Sequence, residues 1–209
     1  MGWRGDGNAR HWRDPCKVKE AFVKALKYID IHIHQGRDSQ IPTAHGASNL
    51  QALLDVLHGA FVEFPGTFAL AFPDVQVGEF RHPGRRVRIF AEDAESLCGL
   101  RTLVDHSDSL DFRVKVKGDV QEVPADFAGP WVEYRRFRIP GKTSRRPEFR
   151  AARIEKADTL PYIGVHSRST DQYFVVYIDP IPTNGRLDGV PGGYGLSVSS
   201  RAVSVPDLP

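Results

Sequence analysis

The chain has 209 residues, enough for one sizeable core or two small lobes, and its 41% hydrophobic, 26% charged and 10% aromatic content excludes a disordered or fibrous protein. Against 28 Lys and Arg stand 26 Asp and Glu, so the formal net charge of +2 does not by itself point to a nucleic-acid partner. No stretch reaches the roughly 18 apolar residues of a membrane span and the opening residues have no signal-peptide core, so a cytoplasmic protein with no membrane partner is expected.

Residues 1–27 read as an N-terminal extension in which Asp14-Pro15 starts a short helix over 17–26. From Tyr28 to His34 the sequence alternates strictly, with Ile29, Ile31 and Ile33 on one face, which is the pattern of a half-buried strand. Ser48 is placed to cap a helix whose stripe is Leu50, Leu53, Leu54, Leu57 and Phe61, ended by Pro65-Gly66. A second strand is expected over 67–72 and a third over 86–90, with a turn at Pro83-Gly84 between them. Asp93 caps a second helix through Leu97, Leu100 and Leu103, and a fourth strand covers 110–116. The order strand-helix-strand-strand-helix-strand gives an α+β class and a ferredoxin-like (βαββαβ) domain over 28–117, its antiparallel sheet carrying both helices on one face.

The texture changes after Gly118 to a second lobe, 118–209, of short strands expected over 131–139, 163–167, 173–179 and 194–197. Pro147 starts a short helix that sets Arg146, Arg150 and Arg153 four and three residues apart on one stripe suited to tracking phosphates. Residues 180–193, rich in Pro and Gly, read as a surface loop. The charge is concentrated here: residues 131–157 hold nine basic side chains and three acidic ones, which leaves the rest of the chain net acidic.

Signatures for nucleotide cofactors, zinc hydrolases and serine hydrolases are absent, and Cys16 and Cys98 are too far apart for a zinc pair or a disulfide framework. No cofactor and no metal site is expected. His58 ends the first helix in an apolar setting, as a proton-transfer group or a structural imidazole. His166-Ser167-Arg168-Ser169-Thr170 is a hydroxyl-rich turn or a ligand-holding segment. The glycines of 192–195 allow either a hairpin or a close backbone approach. His32 and His34 share a strand face and are read as solvated.

Y-I-D-I-H-I (28–33), Leu57-His58, F-A-L-A-F-P-D (68–74), Leu160-Pro161, S-R-S-T-D-Q-Y-F (167–174) and Y-G-L-S (194–197) occur in an order and spacing that resembles the CRISPR repeat endoribonuclease of subtype I-F, the Csy-four member of the Cas-six superfamily. The resemblance implies a metal-independent enzyme that cleaves CRISPR repeat RNA at the 3′ base of a hairpin and leaves a 2′,3′-cyclic phosphate. It implies that the enzyme stays on the product hairpin beside other subunits of a surveillance complex. By the same resemblance His58 is general base or proton shuttle, Ser167 and Ser169 hold the ribose, Tyr194 orients the reacting groups, and Phe174 stacks on the terminal base pair. The lobe 118–209 would then grip RNA, with Arg135, Arg138, Arg145, Arg146, Arg150 and Arg153 as contacts, while Arg168, without a family assignment, is a candidate RNA contact that stabilises the charge on the scissile phosphate. The stretch before Leu160 is shorter than the arginine-rich helix of such enzymes, only Arg138 matches one of their two base-reading residues, and residues 1–27 have no counterpart. Alternatives are an inactive hairpin-binding subunit, the repeat nuclease of a type IV or variant I-F system, and an RRM-type module, which the absence of an aromatic pair on 86–90 disfavours.

Overall fold

A computed structural model describes residues 23–34, 44–141, 146–167 and 171–209. The first sheet and its helices run β1 (Lys27–Ile33), α1 (Ala44–Glu63), β2 (Ala69–Ala71), β3 (Arg86–Ala91), α2 (Ala94–Asp105) and β4 (Val114–Glu122). The strand order is β2-β3-β1-β4 and every neighbour is antiparallel. In β1 the alternation works as expected: Ile29, Ile31 and Ile33 are buried while Tyr28, Asp30 and His32 are less so. The leucine stripe of α1 is buried throughout, and each such side chain withdrawn from water contributes about 1.5–3 kcal/mol. Asp93 caps α2, its side chain accepting from the Ser96 amide at 2.7 Å. α1 and α2 touch each other, and both pack on this sheet. No helix among the described residues is long and apolar enough to cross a membrane.

Three expectations here need correction. Residues 23–26 are not helical: Val23 and Ala25 are buried, Lys24 and Leu26 exposed, and the Leu26 amide donates to the Ala91 carbonyl at 3.2 Å. Sheet neighbours take the backbone bonds that a helix would have used; the rest of the expected helix, 17–22, lies outside the described residues. Ser48 does not cap α1, which begins at Ala44. The fourth strand starts later and runs longer than 110–116, because Leu110 sits in a 3-10 turn (Asp108–Leu110) and Gly118, at φ 66°, carries β4 through a bulge opposite Ile29 to Glu122.

The second sheet contains β5 (Trp131–Phe137), β6 (Tyr162–Ser167), β7 (Gln172–Thr183) and β8 (Val205–Pro206), in the order β6-β7-β5-β8 and again antiparallel. Helix α3 (Pro147–Ala157) lies between β5 and β6 in the chain and opens on Pro147 as expected. Residues 180–183 belong to β7 rather than to a loop, and of 194–197, expected as a strand, only Ser197 pairs, in a bridge to Arg135 of β5. The prolines survive in β7 because the Ile178 amide points toward the β6 side, donating to Pro161, so the ring nitrogens of Pro180 and Pro182 face that same side, beyond the end of β6. No ladder bond is lost.

Alternation along β5 and β7 separates two faces. Tyr134, Val176 and Ile178 join the main core, which is continuous from the first sheet into the second, whereas Phe137 and Tyr177 meet Ala157 and Leu160 under α3. Tyr134 donates its hydroxyl to the Phe72 carbonyl at 3.3 Å, and burial pushes its pKa up to about 12. On the other face of β1, buried Arg88 makes a bidentate pair with Asp30 at 2.7 and 2.9 Å and donates to the carbonyls of Leu208 and Pro209 at 2.8 and 2.9 Å. The last residues are thus tied to the first sheet.

Candidate active site

His58 projects from the second half of α1, next to Leu57, which is wholly buried. Its Nδ1 lies 2.6 Å from the Gly193 carbonyl oxygen. A carbonyl only accepts, so Nδ1 carries the proton and Nε2 is the basic nitrogen of the neutral ring. The imidazole stacks on Tyr194, with centroids 4.2 Å apart and 5° between planes. Phe174 stands edge-on to Tyr194 at 6.1 Å, and the Arg136 guanidinium lies 5.0 Å from the Tyr194 centroid and 5.7 Å from that of Phe174. Burial raises the Tyr194 pKa, against a smaller opposing effect of Arg136, so its hydroxyl stays a donor at neutral pH.

The turn that delivers Gly193 and Tyr194 is held from both sheets. The Gly195 carbonyl accepts from the Leu70 amide of β2 at 2.8 Å, and Ser197 exchanges backbone bonds with Tyr134 and Arg136 of β5 at 2.9 Å. Gly195 has φ 68°, and a Cβ there would come within 2.8 Å of Leu70 Cγ and Phe61 Cε2. A Cβ on Gly193 would lie 3.3 Å from His58 Cε1. The glycine run therefore does allow a close backbone approach, with the histidine as the object. Gly195→Ala combines left-handed strain of about 1–2 kcal/mol with overpacking of about 1–3 kcal/mol. It is expected to lower the urea midpoint accordingly and to displace the Gly193–Tyr194 corner, which a weakened His58 Nδ1–H signal in NMR would report.

Of the residues singled out in the sequence, His58, Tyr194 and Phe174 are brought together. Ser167 ends β6 opposite Gln172, two positions beyond the Val165–Phe174 pair. Ser169, Arg168 and Arg145 lie outside the described residues. Arg135 points to the opposite face of β5, where Nε and Nη2 donate to buried Glu133 at 2.8 and 2.5 Å; Glu133 also accepts from Ser197 Oγ at 2.6 Å. Arg146 precedes α3. Arg150 Nε donates to the Pro140 carbonyl at 3.2 Å, and Arg153 Nε to that of Arg138 at 2.6 Å, with the Arg153 guanidinium 3.8 Å from the Phe137 centroid. These two arginines bind the segment after β5 to α3 through the inner end of the guanidinium. His166 sits on the other face of β6, with Nε2 2.9 Å from Asp171 and its ring against Tyr173. Arg136 escaped sequence reasoning, although strict alternation from Tyr134 would have put it on the core face and Arg135 on the other.

No curated protein matches the chain. A family model described as CRISPR-associated protein (Cas_Csy4) matches residues 28–208, from the first strand to the segment held by Arg88, so the chain belongs to the Csy4-type CRISPR-associated proteins.

Proposed function

We propose that this protein is a metal-independent endoribonuclease that cleaves CRISPR repeat RNA at the 3′ base of its hairpin and remains on the product as a subunit of the interference complex in the cytoplasm. Family membership supports repeat-RNA processing. The observation that carries the chemistry is the His58 imidazole, fixed between the Gly193 carbonyl and the Tyr194 ring with Nε2 as its basic atom.

A ribose 2′-hydroxyl is a weak nucleophile until a base shares its proton, and Nε2 of His58 is suited to take it. The 2′-oxygen then bonds to phosphorus, the bond from phosphorus to the 5′-oxygen breaks, and the leaving oxygen takes a proton from the imidazolium or from water. The products are a 2′,3′-cyclic phosphate and a 5′-hydroxyl. Tyr194 orients the imidazole, Ser167 and Ser169 hold the ribose, and Phe174 stacks on the terminal base pair. In this reading residues 28–117 are the ferredoxin-like domain and 118–209 the RNA-gripping lobe, with the 1–27 extension unassigned. Arg135, Arg138, Arg145, Arg146, Arg150, Arg153 and Arg168 supply its RNA contacts.

Incubating the protein with its genomic repeat RNA in EDTA tests the reading. One cut at the 3′ base of the hairpin is expected; strict dependence on magnesium would overturn the mechanism. The arginine lobe is tested separately. An A-form major groove is too deep and narrow for ordinary side-chain readout, so Arg150 should hold phosphate rather than bases. Arg150→Ala should weaken cognate and base-swapped hairpins alike and flatten the log–log salt slope by about one unit at most. An unchanged affinity and slope would remove Arg150 from the interface.

A further inference from the structure

The cation facing the site is not matched by any acid among the described residues. Arg135 pairs with Glu133, Arg88 with Asp30, Arg86 with Asp74 and Lys156 with Asp179, whereas Arg136 has no carboxylate partner there. Its guanidinium instead rests near two aromatic rings, at 5.0 and 5.7 Å from their centroids, and one of those rings is the Tyr194 ring stacked on His58. Aromatic rings attract the cation but leave its fork of N–H donors to be satisfied by something else.

Resting on the reading of this site as the place where a phosphodiester is cut, we propose that Arg136 holds the scissile phosphate and stabilises the charge that builds on its oxygens during attack. Several features on β5 fit this role. The Arg136 amide is fixed to the Ser197 carbonyl at 2.9 Å, so the strand that carries the arginine is bonded to the turn that carries Tyr194. The donor is therefore placed before substrate arrives, which is the condition under which such donors act most strongly. Burial, with help from the charge of Arg138, lowers the Arg136 pKa, as expected of a cation partly removed from water without a counter-ion. A guanidinium remains charged at neutral pH all the same. An entering phosphodiester would supply the missing anion. Arg136 transfers no proton: it donates hydrogen bonds while the 2′-oxygen bonds to phosphorus and the 5′-oxygen departs.

The test uses wild type, Arg136→Gln and Arg136→Lys, with folding of each checked by thermal melting. Single-turnover cleavage of the repeat hairpin is measured first. Arg136→Gln should cut about 10²–10³-fold more slowly, with Arg136→Lys between it and wild type, as for loss of one preorganised donor. Affinity is then measured for a hairpin made uncleavable by a single 2′-deoxy sugar and carrying either a phosphate or a neutral methylphosphonate at the cut. Neutralising that phosphate should cost wild type about tenfold in affinity and Arg136→Gln less than about twofold, because the cycle isolates their contact. A wild type that cuts, with Arg136→Gln equally fast or equal losses in both proteins, overturns the proposal and leaves the nuclease reading standing. A wild type that binds without cutting overturns the nuclease reading, and the methylphosphonate comparison still decides whether Arg136 meets that phosphate. Failure to bind the hairpin at all overturns both.

Discussion

Replacing His58 by alanine is expected to stop RNA cleavage while leaving hairpin affinity within a few fold of wild type. The Gly193 carbonyl accepts from Nδ1, which leaves Nε2 as the basic nitrogen, and alanine removes the only group proposed to accept the 2′-hydroxyl proton. A positioned general base contributes about 10²–10⁴-fold, and a loss of that size would show in a single-turnover time course. Binding should survive, because the turn that holds Tyr194 is anchored to β2 and β5 independently of the imidazole. Wild-type cleavage by the variant would move the base elsewhere. His166 is a poor substitute, since it pairs with Asp171 on the opposite face of β6.

The second large effect is on stability. Arg88 is 2% exposed, and its guanidinium serves Asp30 together with the carbonyls of Leu208 and Pro209. Arg88→Met would leave a carboxylate with 17% side-chain exposure beside an apolar side chain, and breaking a buried pair from one side costs about 3–5 kcal/mol. Arg86 lies 3.8 Å from the same carboxylate and offsets part of that, so the lower end of the range is expected in urea unfolding. Adding Asp30→Asn should recover a substantial part of the loss, because the residual charge is what makes the single change costly. No recovery in the double variant would mean that Arg88 acts chiefly through the C-terminal carbonyls.

How far the sequence discloses this molecule depends on the range of the interaction. The α1 stripe, the β1 alternation and the Asp93 cap are local, and they read correctly. The four strands and two helices of the first sheet follow in the expected order. The failures are places where distant backbone decides. Leu26 donates to Ala91 and accepts from Val123 in strand fashion, and Val23 donates to Gly189, where a helix was expected. Pro180 and Pro182 look like loop residues until β5 offers one side of a ladder and β6 leaves the other open.

The site divides in the same way. Leu57-His58 and the Y-G-L-S run were recognisable as a resemblance, but the 2.6 Å contact between His58 and Gly193 joins residues 135 apart in the chain, and no periodicity records it. The basic stretch 131–157 counts Arg136 among its nine cations, but the resemblance singles out Arg135 and Arg138 as RNA contacts and leaves Arg136 aside. What separates them is the partner: Glu133 lies on the Arg135 face of β5, and the Tyr194 ring on the other.

The most direct measurement compares two repeat hairpins that differ only by a single 2′-deoxy sugar on the nucleotide 5′ of the cut, each incubated with the wild-type protein, with the products weighed by mass spectrometry. If His58 activates a 2′-hydroxyl, the all-ribose hairpin gives one upstream product ending in a 2′,3′-cyclic phosphate, and the deoxy hairpin is bound with similar affinity and left whole. Cleavage of the deoxy hairpin, or an upstream product ending in a 3′-hydroxyl, would contradict it.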